Sequence, residues 1–257
     1  MPSSITVSHN GLDITFTESD HSYIDSNNKR YTSVTTLVGM GFETFNGEFI
    51  AKRKAEREGL NWQDLLNSWN EAGKRASEAG TRLHENCEHQ ILGQNTLIHE
   101  ARDIKEKINF DLARKAVDDI KSNYHNIKFE PEKLVFSPKL GLAGSIDLLV
   151  TQDTPGRYII YDWKNVKGIS SHGFNGKTGI IEATKDVQDS NYWHYNLQLQ
   201  IYEIILKVER YIPKDAIVTR ILNVFENGKF NQYELPSIGK PAKDLILYNL
   251  KSKKSII

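Results

Sequence analysis

Three residues carry the plainest chemistry in this sequence. Asp147 interrupts the apolar run Ile146 to Val150, and Asp162 and Lys164 close the run YIIYDWKN. The stretch from Pro131 to Asn165 reads as three successive strands separated by Pro/Gly-containing turns. Side chains alternate faces along a strand, so Tyr158, Ile160, Asp162 and Lys164 share one side and Ile159, Tyr161 and Trp163 the other. Asp162 and Lys164 then point the same way, roughly 7 Å apart along the backbone. If the second and third strands pair, Asp147 and Asp162 meet. Two ionised carboxylates about 4 Å apart repel by on the order of 4 kcal/mol at an effective dielectric of 20. A divalent cation with oxygen ligands removes that repulsion, and Lys164 then faces whatever anion the cation binds. The plainer alternative is two strand-end aspartates, one paired to Lys164.

Two helices must position the remaining candidates. One is expected from about Ala72 to Leu92, with His84 and Glu88 one turn apart on the same face. Beside the Asp-x-Lys pair, His84 becomes a candidate metal ligand, and Glu88 a candidate partner for the ring nitrogen turned away from the metal. The text HENCE at 84–88 is not a zinc-protease helix, because that motif needs His where Glu88 stands. The second helix, NYWHYNLQLQIYEIILKVER, sets Tyr195, Gln198 and Tyr202 on one face. Aromatic residues at this spacing also serve a core. A polar amide between two tyrosines, however, can orient a metal-bound residue and approach a phosphate or base.

Gly144-x-x-Asp147, followed after a turn by Asp162-x-Lys164, resembles the core of the PD-(D/E)xK nucleases. Gly80-x-x-x-His84 upstream and Gln198-x-x-x-Tyr202 downstream resemble their RecB-like branch, and together the motifs span about residues 73–210. The segment HSYIDSNNKRYTSVTTLV and a helix containing Trp69 are similar to nuclease-like proteins carried by bacteriophages. The resemblance implies an α/β fold with a restriction-endonuclease-like core, a central mixed β-sheet flanked by helices. It implies one or two Mg²⁺ or Mn²⁺ ions held by His84, Asp147, Asp162 and the Trp163 carbonyl. Glu132 assists at the start of its strand, Lys164 acts in catalysis, and Tyr195, Gln198 and Tyr202 lie toward the substrate. The implied activity is hydrolysis of DNA phosphodiester bonds, by preference as an exonuclease, in recombination, repair or processing. The alternatives are a catalytically inactive DNA-binding or assembly module on the same fold, an endonuclease, or an enzyme acting on RNA.

Composition bounds these readings. The chain has 257 residues with 33 basic and 33 acidic side chains, so any nucleic-acid contact must come from a local patch. Cys87 is the only cysteine, which excludes an intrachain disulfide, a four-cysteine zinc site and a self-contained iron–sulfur cluster. No signal-peptide pattern or long apolar run appears, so no membrane partner is expected and the expected location is the cytoplasm of a bacterial or phage-infected cell. DNA is the expected partner, with a phage recombination or single-strand-binding protein as a further one.

One nuclease domain, 1–257, is expected: an N-terminal β-hairpin and helical extension (1–72), the core (73–210), and a C-terminal hairpin and helix (211–257). Ser33 to Thr36 are expected to cap a helix. An amphipathic helix is expected over Glu100 to Asn123. Asn165 to Ser190 reads as a long structureless loop that folds over DNA. Its Gly176-Lys177-Thr178 is no phosphate loop, since Ser171 stands where that motif requires Gly. Asn227-Gly228 marks a tight hairpin turn.

Overall fold

The computed structural model describes residues 4–94, 98–123 and 128–254. The alternating, turn-rich N-terminal segment forms β1 (Ser4–His9), β2 (Leu12–Thr17), β3 (Ser22–Asp25) and β4 (Arg30–Ser33), an antiparallel series. The expected hairpin is thus a four-stranded extension, and it does not stand apart. β4 pairs in parallel with β6 (Leu142–Thr151) through Thr32–Leu142 and Ser33–Ala143.

Ser33 caps the short α1 (Val34–Gly39), its hydroxyl accepting from the Thr36 N–H. Asn46 caps α2 (Gly47–Glu58), and Asn61 accepts from the Gln63 and Asp64 N–H groups to open α3 (Trp62–Ile91). The helix bearing His84 therefore begins ten residues before the expected Ala72, because nothing between the Asn61 cap and residue 72 breaks it. α4 (Ile104–Asn123) follows.

β5 (Lys128–Ser137), β6 and β7 (Arg157–Asn165) are the three expected strands. α5 (Asn191–Val208), β8 (Ile217–Glu226), β9 (Lys229–Glu234) and α6 (Gly239–Lys254) complete the chain. β8 and β9 turn through Asn227 and Gly228, both at positive φ, as a two-residue Asn-Gly hairpin requires. The result is a mixed α/β architecture, with a nine-stranded sheet ordered β1-β2-β3-β4-β6-β7-β8-β9 and β5 on the other edge of β6. α1, α5 and α6 pack one face around Ile146, Ile160, Leu197 and Leu222. α3 and α4 pack the other around Leu148, Ile159, Trp163 and Phe225.

Two irregularities position the site. β5 runs along one whole edge of β6, while β4 and β7 divide the opposite edge between them. β4 takes Leu142 and Ala143, β7 takes Leu148 to Thr151, and residues 144–147 are left without a strand partner on that edge. The sheet forks there. Across the other edge the β5–β6 ladder skips one pair, Glu132 opposite Asp147, and Glu132 has φ +43°. Both strands change faces at that step: Val135, Gly144 and Ile146 face α5, whereas Phe129, Leu148 and Val150 face α3 and α4. A glutamate in the left-handed region costs on the order of 1 kcal/mol or more, and such strain persists where surrounding structure over-determines it.

Residues 165–190 are not structureless. Thr184 is fully buried and its hydroxyl donates to the Gly41 carbonyl at 2.7 Å, which also accepts from Ile180 N–H at 2.9 Å. Thr178 and Gln188 form an isolated antiparallel bridge, and Val187 joins the core. The glycines and short polar residues that read as disorder allow this close backbone packing instead. No helix among the described residues is long and apolar enough to cross a membrane. The end of the lysine-rich C-terminal tail lies outside the described residues.

Candidate metal centre

At the fork, α3 brings His84 against the two strands. His84 Nδ1 lies 3.6 Å from Asp147 Oδ2 and 3.8 Å from Glu132 Oε1. Ligand-type atoms of His84, Glu132 and Asp147 all lie within 4.8 Å of one another. These separations exceed a direct hydrogen bond. They suit three donors turned toward one point, and imidazole with two carboxylates is a donor set that first-row divalent cations accept. The residues present therefore fit a divalent cation.

Trp163 holds two members of this group through its main chain. Its N–H donates to Asp147 Oδ2 at 2.7 Å, and its carbonyl lies 2.8 Å from His84 Nε2. A carbonyl only accepts, so Nε2 carries a proton and Nδ1 is the nitrogen left to face the carboxylates. The indole is 1% exposed among Tyr161, Phe225 and the α3/α4 layer, which fixes the backbone that does this work. The orienting partner of His84 is thus the Trp163 carbonyl in place of the expected Glu88.

The β7 alternation is as the sequence implies, with Ile160 against α5 and Ile159, Tyr161 and Trp163 against α3 and α4. Leu148–Tyr161 is the last ladder pair between β6 and β7, so Asp147 and Asp162 are next in register, where the strands part. Asp162 is 2% exposed. Its Oδ2 lies 2.6 Å from Lys164 Nζ, and its Oδ1 accepts from Gln198 Nε2 at 3.3 Å. Lys164 Nζ lies 5.1 Å from the centre of the Tyr195 ring. Tyr202 fills the space over Gly144, where an added Cβ would stand 2.7 Å from its hydroxyl oxygen. Tyr195, Gln198 and Tyr202 therefore all point from α5 into the fork. Ser145 was not singled out from the sequence, yet its hydroxyl donates to Glu132 Oε2 at 3.0 Å. A second polar residue two positions before Asp147 in an apolar strand was the available signal.

Electrostatics follow from crowding. Burial alone would lower His84, but the charges of Asp147 and Glu132 outweigh it and push its pKa up to about 9. Burial pushes Asp162 up to about 6 against the attraction of Lys164, with Asp147 adding to the rise. Burial works against the Lys164 ammonium, but the charges of Asp162 and Asp147 prevail and hold it charged, its pKa raised. Because the folded-state pKa of His84 lies above its ordinary 6.5, its protonation favours the folded chain. That contribution is complete below pH 6.5 and lost as pH climbs through about 9. Asp162 acts in the same direction lower down, complete below 3.8 and lost through about 6. In EDTA, stability is expected to fall between pH 6.5 and 9 by on the order of 2 kcal/mol, a few degrees in melting temperature. His84→Gln should flatten that decline in a melting series; an undiminished decline in the variant would assign it to other groups.

No family model matches the chain, and no curated protein matches it. Among solved structures it is similar to a protein from Eubacterium rectale provisionally named an exonuclease, at 14% identity and a TM-score of 0.47, over 88% of this chain and 80% of that one. It is also similar to SSO0001, at 15% identity and a TM-score of 0.28, over 66% and 71% of the two chains.

Proposed function

We propose that this protein is a metal-dependent nuclease that hydrolyses DNA phosphodiester bonds, working from strand ends. One observation carries the reading: an imidazole and two carboxylates converge at a sheet fork beside a buried Asp–Lys pair. His84, Glu132 and Asp147 would hold the cation; Asp162, which the resemblance adds to the ligand set, stands outside that group and engages Lys164 and Gln198. A bound divalent cation supplies Lewis-acid polarisation of the scissile phosphate and lowers the pKa of a coordinated water.

The chain's own groups do the rest. Lys164, kept protonated between Asp162 and Asp147, presents a fixed positive charge where negative charge builds on the phosphoryl oxygens. Asp162 and the Tyr195 ring hold that ammonium in place, and Gln198 holds Asp162. Trp163 keeps Asp147 and the His84 ring at fixed angles through its N–H and carbonyl. His84 must shed its Nδ1 proton before that nitrogen can ligate, so cation affinity should rise with pH toward about 9. The preference for ends, the setting of recombination or repair, and the link to bacteriophages come from the sequence resemblance.

The test is a substrate panel of end-labelled and internally labelled DNA, with RNA of the same sequence, incubated with Mn²⁺, Mg²⁺ or EDTA. Release of short products from DNA ends in Mn²⁺ or Mg²⁺, absent in EDTA, is expected. No hydrolysis of DNA under any condition would overturn the proposal.

A further inference from the structure

Phe174 and Phe45 are the two most exposed large apolar side chains among the described residues, at 78% and 72%. Phe45 keeps one neighbouring ring, Trp69 with centroids 6.5 Å apart, and is otherwise turned to water as Phe174 is. Phe174 nonetheless sits on a braced support. It opens a one-turn 3-10 helix, Phe174–Gly176, followed by Asn175 and Gly176 at positive φ. Gly173 before it admits no side chain, since a Cβ would stand 2.1 Å from the Lys177 carbonyl oxygen, and its N–H donates to Gln188 Oε1 at 3.0 Å. Asp189 N–H donates to that same Lys177 carbonyl at 2.9 Å. An apolar ring held out into solvent by this much bonding is presented, where a frayed loop would fold it back.

The support leads to the metal centre. The loop leaves β7 one residue past Lys164, and Trp193 Nε1 on the first turn of α5 donates to the Ser171 carbonyl at 2.9 Å. Two residues further along that helix, Tyr195 carries the ring against Lys164. Phe174 lies three positions past Ser171, roughly 10 Å of extended chain at most. Phe45 lies on the adjoining segment, two residues past Glu43, whose carboxylate pairs with Lys177 three residues past Phe174. A third exposed ring, Phe49, stands on the helix that begins two residues after Phe45, with Arg53 over it 5.7 Å from its centre.

We infer that Phe174, with Phe45 on the adjoining segment, is a stacking platform for unpaired nucleobases of the strand whose phosphate enters the metal centre. The inference rests on the nuclease reading and narrows it to substrates with single-stranded or frayed ends. Aromatic faces stack on any base, so such a platform holds a strand without reading its sequence.

Anisotropy of a fluorescent single-stranded oligonucleotide, titrated with the full chain in EDTA, measures this without hydrolysis. Phe174→Ala is expected to weaken binding roughly 5- to 150-fold, the range for losing one stacked base. Phe174→Trp should keep wild-type affinity, while Phe174→Leu, apolar but without a π face, should bind as poorly as the alanine variant. Unchanged affinity in Phe174→Ala, or full affinity in Phe174→Leu, would overturn the platform. The two ideas fail separately: a wild-type chain that binds in EDTA but never cleaves DNA in Mn²⁺ defeats the nuclease reading alone.

Discussion

Lys164→Met is expected to lower DNA hydrolysis by two to three orders of magnitude while the chain stays folded and still takes up metal. The size follows from removing a fixed charge aimed at the developing phosphoryl charge, which costs about 10²- to 10³-fold where such groups have been removed. Folding should survive for a specific reason. The carboxyl of Asp162 already stands at about 6, and without the ammonium it rises further, so at neutral pH it takes a proton and leaves no bare buried charge. Methionine keeps the apolar stem of lysine against Tyr195. Rates with Mn²⁺ and a thermal melt on the same sample make the measurement. Undiminished turnover would take Lys164 out of the chemistry, and an unfolded variant would show that the Asp–Lys pair serves the fold first.

Asp147→Asn should abolish the stabilisation that Mn²⁺ gives. A cation at about 100 times its dissociation constant stabilises a binding protein by about 2.7 kcal/mol, which for a chain of this length amounts to roughly 5–10 °C. Asparagine still accepts from the Trp163 N–H, so the geometry of the fork persists while the charge that draws the cation is gone. In EDTA the variant should lose much of the stability decline between pH 6.5 and 9, because the carboxylate that most raises the His84 pKa has been neutralised. His84 should also fall back toward its ordinary pKa, as the Asp147 charge is the largest single influence raising it. A full Mn²⁺-dependent rise in Asp147→Asn would mean that the ion binds elsewhere.

Part of this centre was legible in the sequence for a geometric reason. Strand alternation is a short-range rule, so the shared face of Asp162 and Lys164 needed only their spacing, and antiparallel register then put Asp147 next in line beyond Leu148–Tyr161, where the strands part. Gln198 and the two tyrosines followed from helical spacing in the same way. The role of the Trp163 main chain was not legible, because a backbone group has no sequence signature and His84 reaches it from 79 residues away. The strained φ of Glu132 was equally hidden: it depends on two strands changing faces at the same step, which neither strand's pattern announces alone. The loop at 165–190 misled for the opposite reason. Its glycine content suggested disorder, while its order comes from Gly41 and Thr184, partners 143 positions apart.

The divided edge of β6 has a kinetic meaning. β7 folds onto that edge through the short turn after β6, but β4 reaches it from residues 30–33 and the imidazole arrives on α3, so both cross a long stretch of chain to get there. Closing pairings of such long separation is slow and comes late in folding. A half-folded chain therefore lacks the assembled cage, and a newly made molecule stays chemically mute until its distant segments have met.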